Sequence, residues 1–182
     1  MNMAKRKLVC LDLMKTVREV KDHVLSSDFG VVIEDRYPKA KNHFLVLPKE
    51  NIPTIYNLTK DHLQLLDKLH MLAIDVLEVK HLKLEDFKFG FHRDPSMRQL
   101  HLHVISQDFI SDCLKTKKHW NSFNTKLFLP YEELYNELKA DGCVKKINEE
   151  EIKRLLSTDL KCNHCSFIAT NMPKLKIHLI SH

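Results

Sequence analysis

Apolar positions recur every three to four residues between Thr59 and Lys80: Leu63, Leu66, Leu69, Ala73, Val76 and Leu77 fall on one stripe. Thr59 is a suitable N-cap, so the pattern predicts an amphipathic helix of some 20 residues. Leu13, Val17, Val20 and Val24 repeat the spacing over residues 12–24 and predict an N-terminal helix. Elsewhere the period drops to two. Val31–Ile33 and His43–Leu47 are apolar runs joined by a polar segment with Pro38, which predicts a hairpin. Phe87, Phe89 and Phe91 alternate in "FKFGF", and "QLHLHVIS" follows a turn at Asp94-Pro95, which predicts two further antiparallel strands. Pro130 opens a short helix that Gly142 closes, and another helix covers about 148–157. The expected fold class is α+β: an antiparallel sheet with helices packed on it, followed by a small ββα-like unit. The expected boundaries are an N-terminal helical segment at 1–28, a main domain at 29–142, a helical linker at 143–159 and a terminal unit at 160–182.

A length of 182 residues suits one well-buried domain with a small appendage. The net charge of +5 is unevenly spread: residues 115–126 carry Lys115, Lys117, Lys118 and Lys126 and no acid, which favours a polyanionic partner over a purely solvated face only if other features agree. Five cysteines make no even disulfide set, and the start "MNMAKRKLVCLDLM" has no secretory pattern, so a reducing compartment is expected. No apolar run is long enough for a membrane helix, so no membrane partner is expected. With only 3 glycines, no phosphate-cradling loop exists.

The terminal unit changes the picture more. Cys162 and Cys165 are separated by two residues, and His178 and His182 by three, with twelve residues between the pairs. Two thiolates on a tight turn and two imidazoles one helical turn apart can close a tetrahedron around one structural zinc ion. His164 would break the spacing and is expected to be a non-ligand. Leu175 with Phe167 or Ile168 supplies an apolar core, and Pro173 fits the first helical turn. One finger reads about three base pairs, so backbone or end binding is expected rather than sequence recognition.

His101 and His103 lie two apart in "LHLHVIS", on one face of a strand whose other face is aliphatic. One histidine there would be read as a satisfied core residue. Two on one face, with His92 within a turn's reach and His43 opening another strand, point to chemistry. A neutral imidazole is a competent nucleophile toward phosphorus near pH 7, and a second imidazole is a suitable acid for the leaving oxygen; no metal is needed.

"HFLVLPK" and "LHLHVIS" resemble the two signature segments of the histidine triad superfamily of nucleotide hydrolases and transferases. "YPKAKNHFLVLP", "GFHRDPSMRQLHLHVISQDF" and "KKHWNSFNT", followed by the finger, narrow the resemblance to a DNA-repair branch and extend it over residues 29–182. The resemblance implies a nuclear hydrolase that removes AMP from 5′-adenylated DNA ends left by abortive ligation, through a covalent histidine–AMP intermediate. It implies that His101 attacks the α-phosphorus, that His103 hydrogen-bonds the phosphate or the nucleophile, and that His92 protonates the departing 5′-phosphate. Ser96 would contact phosphate oxygens, Asp35 would hold the ribose hydroxyls, and Val31, Val32 and Ile33 would wall the adenine, with Lys39 and His43 supporting the pocket. Lys117, Lys118, His119 and Trp120, with Lys174 and Lys176 of the finger, would hold DNA at ends, nicks and RNA–DNA junctions; Trp120 would either stack on the DNA or anchor its own loop.

The first triad position is Gln99 rather than His, and Gln is expected to donate a hydrogen bond on the same strand face. No DNA wedge is identifiable in "KRKLVCLDLMKTV", and the chain has no room for a forkhead-associated domain, so recruitment to repair scaffolds is not expected. Two other readings stand beside this one: a small-molecule nucleotidyl hydrolase, and a non-catalytic zinc-finger nucleic-acid-binding protein.

Overall fold

The computed structural model describes residues 22–182 and, before them, Leu13, Val17 and Glu19. Leu13 and Val17 are helical and buried, as the N-terminal periodicity predicts, while Val20 lies outside the described residues. The C-terminal end of that predicted helix is different. His23–Ser26 is strand β1, so part of the expected helical segment 1–28 belongs to the sheet. β1 supplies hydrogen-bond partners to the outer edge of β2 (Gly30–Glu34), pairing Leu25 with Val32 and Ser26 with Val31, and Val24 and Leu25 pack on the main core. Those gains outweigh a helical spacing that offers the same side chains no partner helix.

β3 (His43–Pro48), β4 (Phe87–His92), β5 (Leu102–Ser106) and β6 (Phe128–Pro130) complete one antiparallel sheet in the order β1-β2-β3-β5-β4-β6. Both predicted pairs form: Val32 lies opposite Val46, and Phe89 opposite Val104. Between β3 and β4 runs α1 (Leu63–Val79), preceded by a 3-10 turn over Lys60–His62 in which His62 Nδ1 accepts from the Thr59 N–H at 3.0 Å. Its stripe, Leu66, Leu69, Leu72, Ala73, Val76 and Leu77, is buried against Val32, Phe44, Val46, Leu102 and Val104. α3 (Tyr131–Asp141) adds Leu134 and Leu138 to this core and stops at Gly142, whose φ of 77° suits glycine.

The opposite face of the sheet carries a second layer. α2 (Lys117–Asn124) and α4 (Glu149–Leu156) pack together. After them come β7 (Leu160–Lys161), β8 (Ile168–Ala169) and α5 (Met172–Leu179), the expected ββα unit. This unit is no separate bead. Leu160, Ala169, Met172, Leu175 and Leu179 form one continuous cluster with Ala40, Ile105, Phe109, Leu114, Trp120, Phe123 and Phe128 of the main domain. A third cluster, Leu13, Val17, Val31, Ile33, Leu45 and Leu47, lies further along the same sheet face. The histidines stand between the two.

Candidate active site

Strand register sets the site. Ile33, Leu45, His103 and Gly90 stand side by side across β2, β3, β5 and β4; His43, Ile105 and Lys88 form the next row. His92 ends β4, and His101 immediately precedes β5. The rings converge: His103 lies 4.8 Å from His101, 4.4 Å from His92 and 5.2 Å from His43, centroid to centroid. Phe123 of α2 meets His43, His92 and His103 edge-on, so the helix lays an apolar lid against three of the four. His43, His101 and His103 are each exposed by 6 % or less.

The hydrogen bonds assign the protons. The Lys39 N–H donates to His43 Nδ1 at 3.2 Å, which leaves the neutral ring its proton on Nε2. His43 Nε2 lies 2.9 Å from His103 Nδ1, so His43 donates and His103 accepts. The proton of His103 is then on Nε2, a buried atom with no protein partner. His101 Nδ1 lies 2.7 Å from the Gln99 carbonyl, to which it donates, leaving a bare lone pair on Nε2. The face therefore offers one nucleophilic nitrogen and one donor side by side. Asp35, His43 and His103 also group closely enough to suggest a metal, but the two imidazole nitrogens already satisfy each other.

Burial keeps the rings neutral. It pushes His43 down to about 4, against the opposing pull of Asp35, and with repulsion from His101, His43 and Lys88 it pushes His92 down to about 3. His103 is driven well below the ordinary imidazole value by burial and by its three histidine neighbours. His101 is lowered by burial, against the Gln99 carbonyl and Asp35, which favour its charged form.

These residues line a cleft of about 1350 Å³. Asp35, Lys39, His43, Ser96 and the basic-loop residues Lys118 and His119 reach it with His92, His101 and His103. Asp35 is held by accepting from the Tyr37 N–H at 2.8 Å, and its other oxygen is 3.5 Å from His43 Nδ1. The Lys39 ammonium donates to the Tyr37 carbonyl, and burial lowers its pKa.

Val31, Val32, Gln99 and Lys176 do not take their expected places, and Trp120 takes the second of its two. Val32 points to the opposite face, into the core under α1, because strand neighbours alternate; Val31 is fully buried behind the cleft, so of the three expected adenine walls only Ile33 lines it. Leu45 and Met97 share that lining with Leu13. Leu45 was legible as the residue two after His43 on the same face. The Gln99 side chain does not face the triad: its Nε2 donates to the Pro48 and Glu50 carbonyls, and the residue reaches His101 through its main chain. Trp120 is 1 % exposed, with Nε1 donating to the Lys161 carbonyl at 3.1 Å, so it anchors the finger and presents no stacking face. Lys176 is half-buried and donates to the Ser111 carbonyl at 2.7 Å, which takes its ammonium away from solvent. Lys174 is exposed, and Lys117 is 3.5 Å from Asp159.

The expected metal ligands come together. His178 Nε2 lies 3.1 Å from His182 Nε2 and 3.1 Å from Cys165 Sγ, and His182 Nε2 lies 3.6 Å from Cys162 Sγ. A zinc tetrahedron with ordinary bond lengths has nitrogen–nitrogen edges of about 3.3 Å and nitrogen–sulfur edges of about 3.5 Å. The donor set fits zinc with all four positions taken by protein. The His164 N–H points at Cys162 Sγ at 3.3 Å, a turn suited to a thiolate, while its ring lies against the main domain.

Residues 11–119 match the family described as "Scavenger mRNA decapping enzyme C-term binding", and residues 124–182 match "C2HE / C2H2 / C2HC zinc-binding finger". The chain is 49% identical over 170 residues to an aprataxin-like protein of Drosophila melanogaster, covering 93% of this chain and 26% of that one. It is 32% identical over 179 residues to an aprataxin-like protein of Saccharomyces cerevisiae, covering 81% of each. A crystal structure of the aprataxin ortholog Hnt3 in complex with DNA superimposes with a TM-score of 0.75 at 25% identity, over 98% of this chain and 94% of that one. The chain thus spans about a quarter of the fly relative and four fifths of the yeast one.

Proposed function

The chain belongs to the aprataxin family and has its histidine-triad-type fold with a C-terminal zinc finger, and from that premise we propose that it is a nucleotidyl hydrolase of DNA repair that removes AMP from 5′-adenylated DNA. The observation that carries the proposal is the pair of proton assignments on the histidine face: a bare Nε2 on His101 beside an Nε2–H on His103. An α-phosphate seated there meets a nucleophile whose far nitrogen is fixed by a carbonyl, and a donor for its non-bridging oxygen.

In the first step His101 Nε2 bonds to the α-phosphorus as the bond from phosphorus to the bridging oxygen breaks. The DNA 5′-phosphate leaves with the electron pair, and His101 carries AMP as a phosphoramidate. In the second step water attacks the same phosphorus, the nitrogen–phosphorus bond breaks, and AMP departs. His92 serves both steps, giving a proton to the departing phosphate and taking one from the water. Its low pKa in the free protein matches the second role, and the charge of a bound phosphate opposes the causes that keep it neutral.

Ile33, Leu45 and Met97 offer the adenine an apolar bed, and Asp35 faces the ribose. Lys118 and His119 at the cleft mouth, with Lys174 on the finger, take the DNA backbone, including nicks and RNA–DNA junctions. Zinc, when bound to Cys162, Cys165, His178 and His182, supplies folding energy to the finger. A DNA-end substrate supports the reading that the protein acts in the nucleus.

The test offers the purified chain a nicked duplex with a labelled 5′-adenylate and, separately, a diadenosine polyphosphate. AMP release from the duplex, lost in His101→Ala with DNA binding retained, is expected. Preference for the free dinucleotide would replace this substrate by a small molecule, and undiminished turnover in His101→Ala would remove the nucleophile.

A further inference from the structure

The finger holds the main domain by two polar grips on one short segment, residues 107–111. The Gln107 carbonyl accepts from Asn163 Nδ2 at 2.9 Å and from His164 Nε2 at 3.0 Å, both in the turn between the two cysteines. The Ser111 carbonyl accepts from Lys176 Nζ on α5. The same segment staples the loop that delivers His43. Ser111 Oγ donates to the Pro38 carbonyl at 2.6 Å and Asp108 Oδ1 accepts from the Lys41 N–H at 3.0 Å; just before the segment, Ser106 Oγ at the end of β5 accepts from the Asn42 N–H at 3.1 Å. The peptide unit that begins with the Pro38 carbonyl ends with the Lys39 N–H, the group that donates to His43 Nδ1.

That amide contact decides which hydrogen His103 offers to the substrate. His43 Nδ1 has two suitors: the Lys39 N–H at 3.2 Å and Asp35 Oδ2 at 3.5 Å. While the amide donates, the protons run from His43 Nε2 to His103 Nδ1, and His103 keeps Nε2–H for the phosphate. If the amide moves off, the ring proton can sit on Nδ1, which then donates a hydrogen bond to Asp35 Oδ2. His43 Nε2 then becomes the acceptor of a bond from His103 Nδ1–H, and His103 Nε2 faces the phosphate anion with a lone pair. The two arrangements contain the same number of protons and differ by one tautomer at each ring.

We infer that Lys176, with Asn163 and His164, is a positioning residue for the reaction: it ties the finger to the segment that seats the Lys39 amide on His43, and so holds His103 in the tautomer that donates to phosphate. The inference rests on the histidine face being the reacting centre. It gives the finger a part in the chemical step as well as in gripping nucleic acid, and it accounts for His164, which zinc does not use.

The test uses the full, zinc-loaded chain and an aryl ester of AMP, a substrate with no nucleic acid for the finger to hold. Lys176→Met should lower kcat about tenfold with KM changed less than about twofold, since a displaced donor is felt in the transition state. Nitrogen-15 spectra of the substrate-free protein should show His103 moving toward the Nδ1–H form. Lys176→Arg should restore both. Ser111→Ala leaves the Ser111 carbonyl and the finger contact in place but cuts the bond to Pro38, together with the one Oγ accepts from the Cys113 N–H; it should reproduce both changes, and the double variant should be no worse than the worse single one. If Lys176→Met loses zinc, Ser111→Ala decides the matter with the finger intact. Unchanged His103 nitrogens and unchanged turnover of the ester, with a raised KM for adenylated DNA, would overturn the inference and make Lys176 a phosphate contact. The spectra need no substrate, so they decide the anchor even if the wild-type chain leaves the ester untouched and the proposed reaction fails.

Discussion

A histidine that is neutral in the fold and titrates near 6.5 when unfolded ties stability to pH. His43 titrates near 4 and His92 near 3 in the folded chain, so the unfolded chain binds more protons between those values and 6.5. Their contribution is complete above pH 6.5 and is lost as pH falls through this window; for His43 alone the loss at pH 4 is on the order of 3 kcal/mol. Thermal melts at pH 7 and pH 4.5 should show the fall, and replacing His43 by Gln should flatten it. Lys88 acts on the same residues from β4. Its ammonium is buried, which lowers its pKa to about 8, and it donates to the Phe123 carbonyl at 2.7 Å at the end of α2, with the rings of Phe109 and Phe128 beside it. Lys88→Met should cost about 1–3 kcal/mol by leaving that carbonyl unpaired. It also removes a charge that presses on His92, so the acid limb of the activity profile should move to higher pH, which a pH–rate series would show. The sequence made the histidines conspicuous through their spacing. It gave no sign of Lys88, because a lysine in a strand is ordinarily a solvent-facing residue.

Of the two glycines in the sheet, Gly90 on β4 has less room than Gly30 on β2. A Cβ on Gly90 would lie 2.5 Å from the Leu129 carbonyl and 2.6 Å from the Phe128 ring, both on β6. Gly90→Ala should push β6 outward and lower stability by about 1–3 kcal/mol, and because Gly90 lies beside His103 it should depress kcat along with the melting temperature. Strands β2 to β5 and helix α1 were legible because each must bury one face, and that need writes a period of two or of 3.6 into the chain. β1 was not. Its four residues carry the tail of a helical spacing, and what makes them a strand is the bare edge of β2, a partner met only after folding. The adenine walls failed at Val32 for a related reason: three consecutive apolar residues do not say which of them faces the ligand until the register is known.

For the molecule as a whole, the finger's site was legible and its seat was not. Ligand spacing is local, whereas the surface a finger rests on is a property of two distant stretches of chain. Stripping the metal should therefore do more than loosen DNA: with the finger unfolded, Phe109, Leu114, Trp120 and Phe123 lose their cover, the melting temperature falls, and turnover of an AMP aryl ester falls with it. Calorimetry and ester assays before and after chelation would measure both. The shared cluster also restricts how such a protein can change over generations. Residue 160 looks like a seam where one unit could be exchanged for another, yet Leu175 and Leu179 fill space shaped by Ala40, Phe109 and Trp120. A transplanted finger would meet a surface cut for a different one, so the two halves are free to drift only in step, a change of volume on one side answered by its opposite on the other.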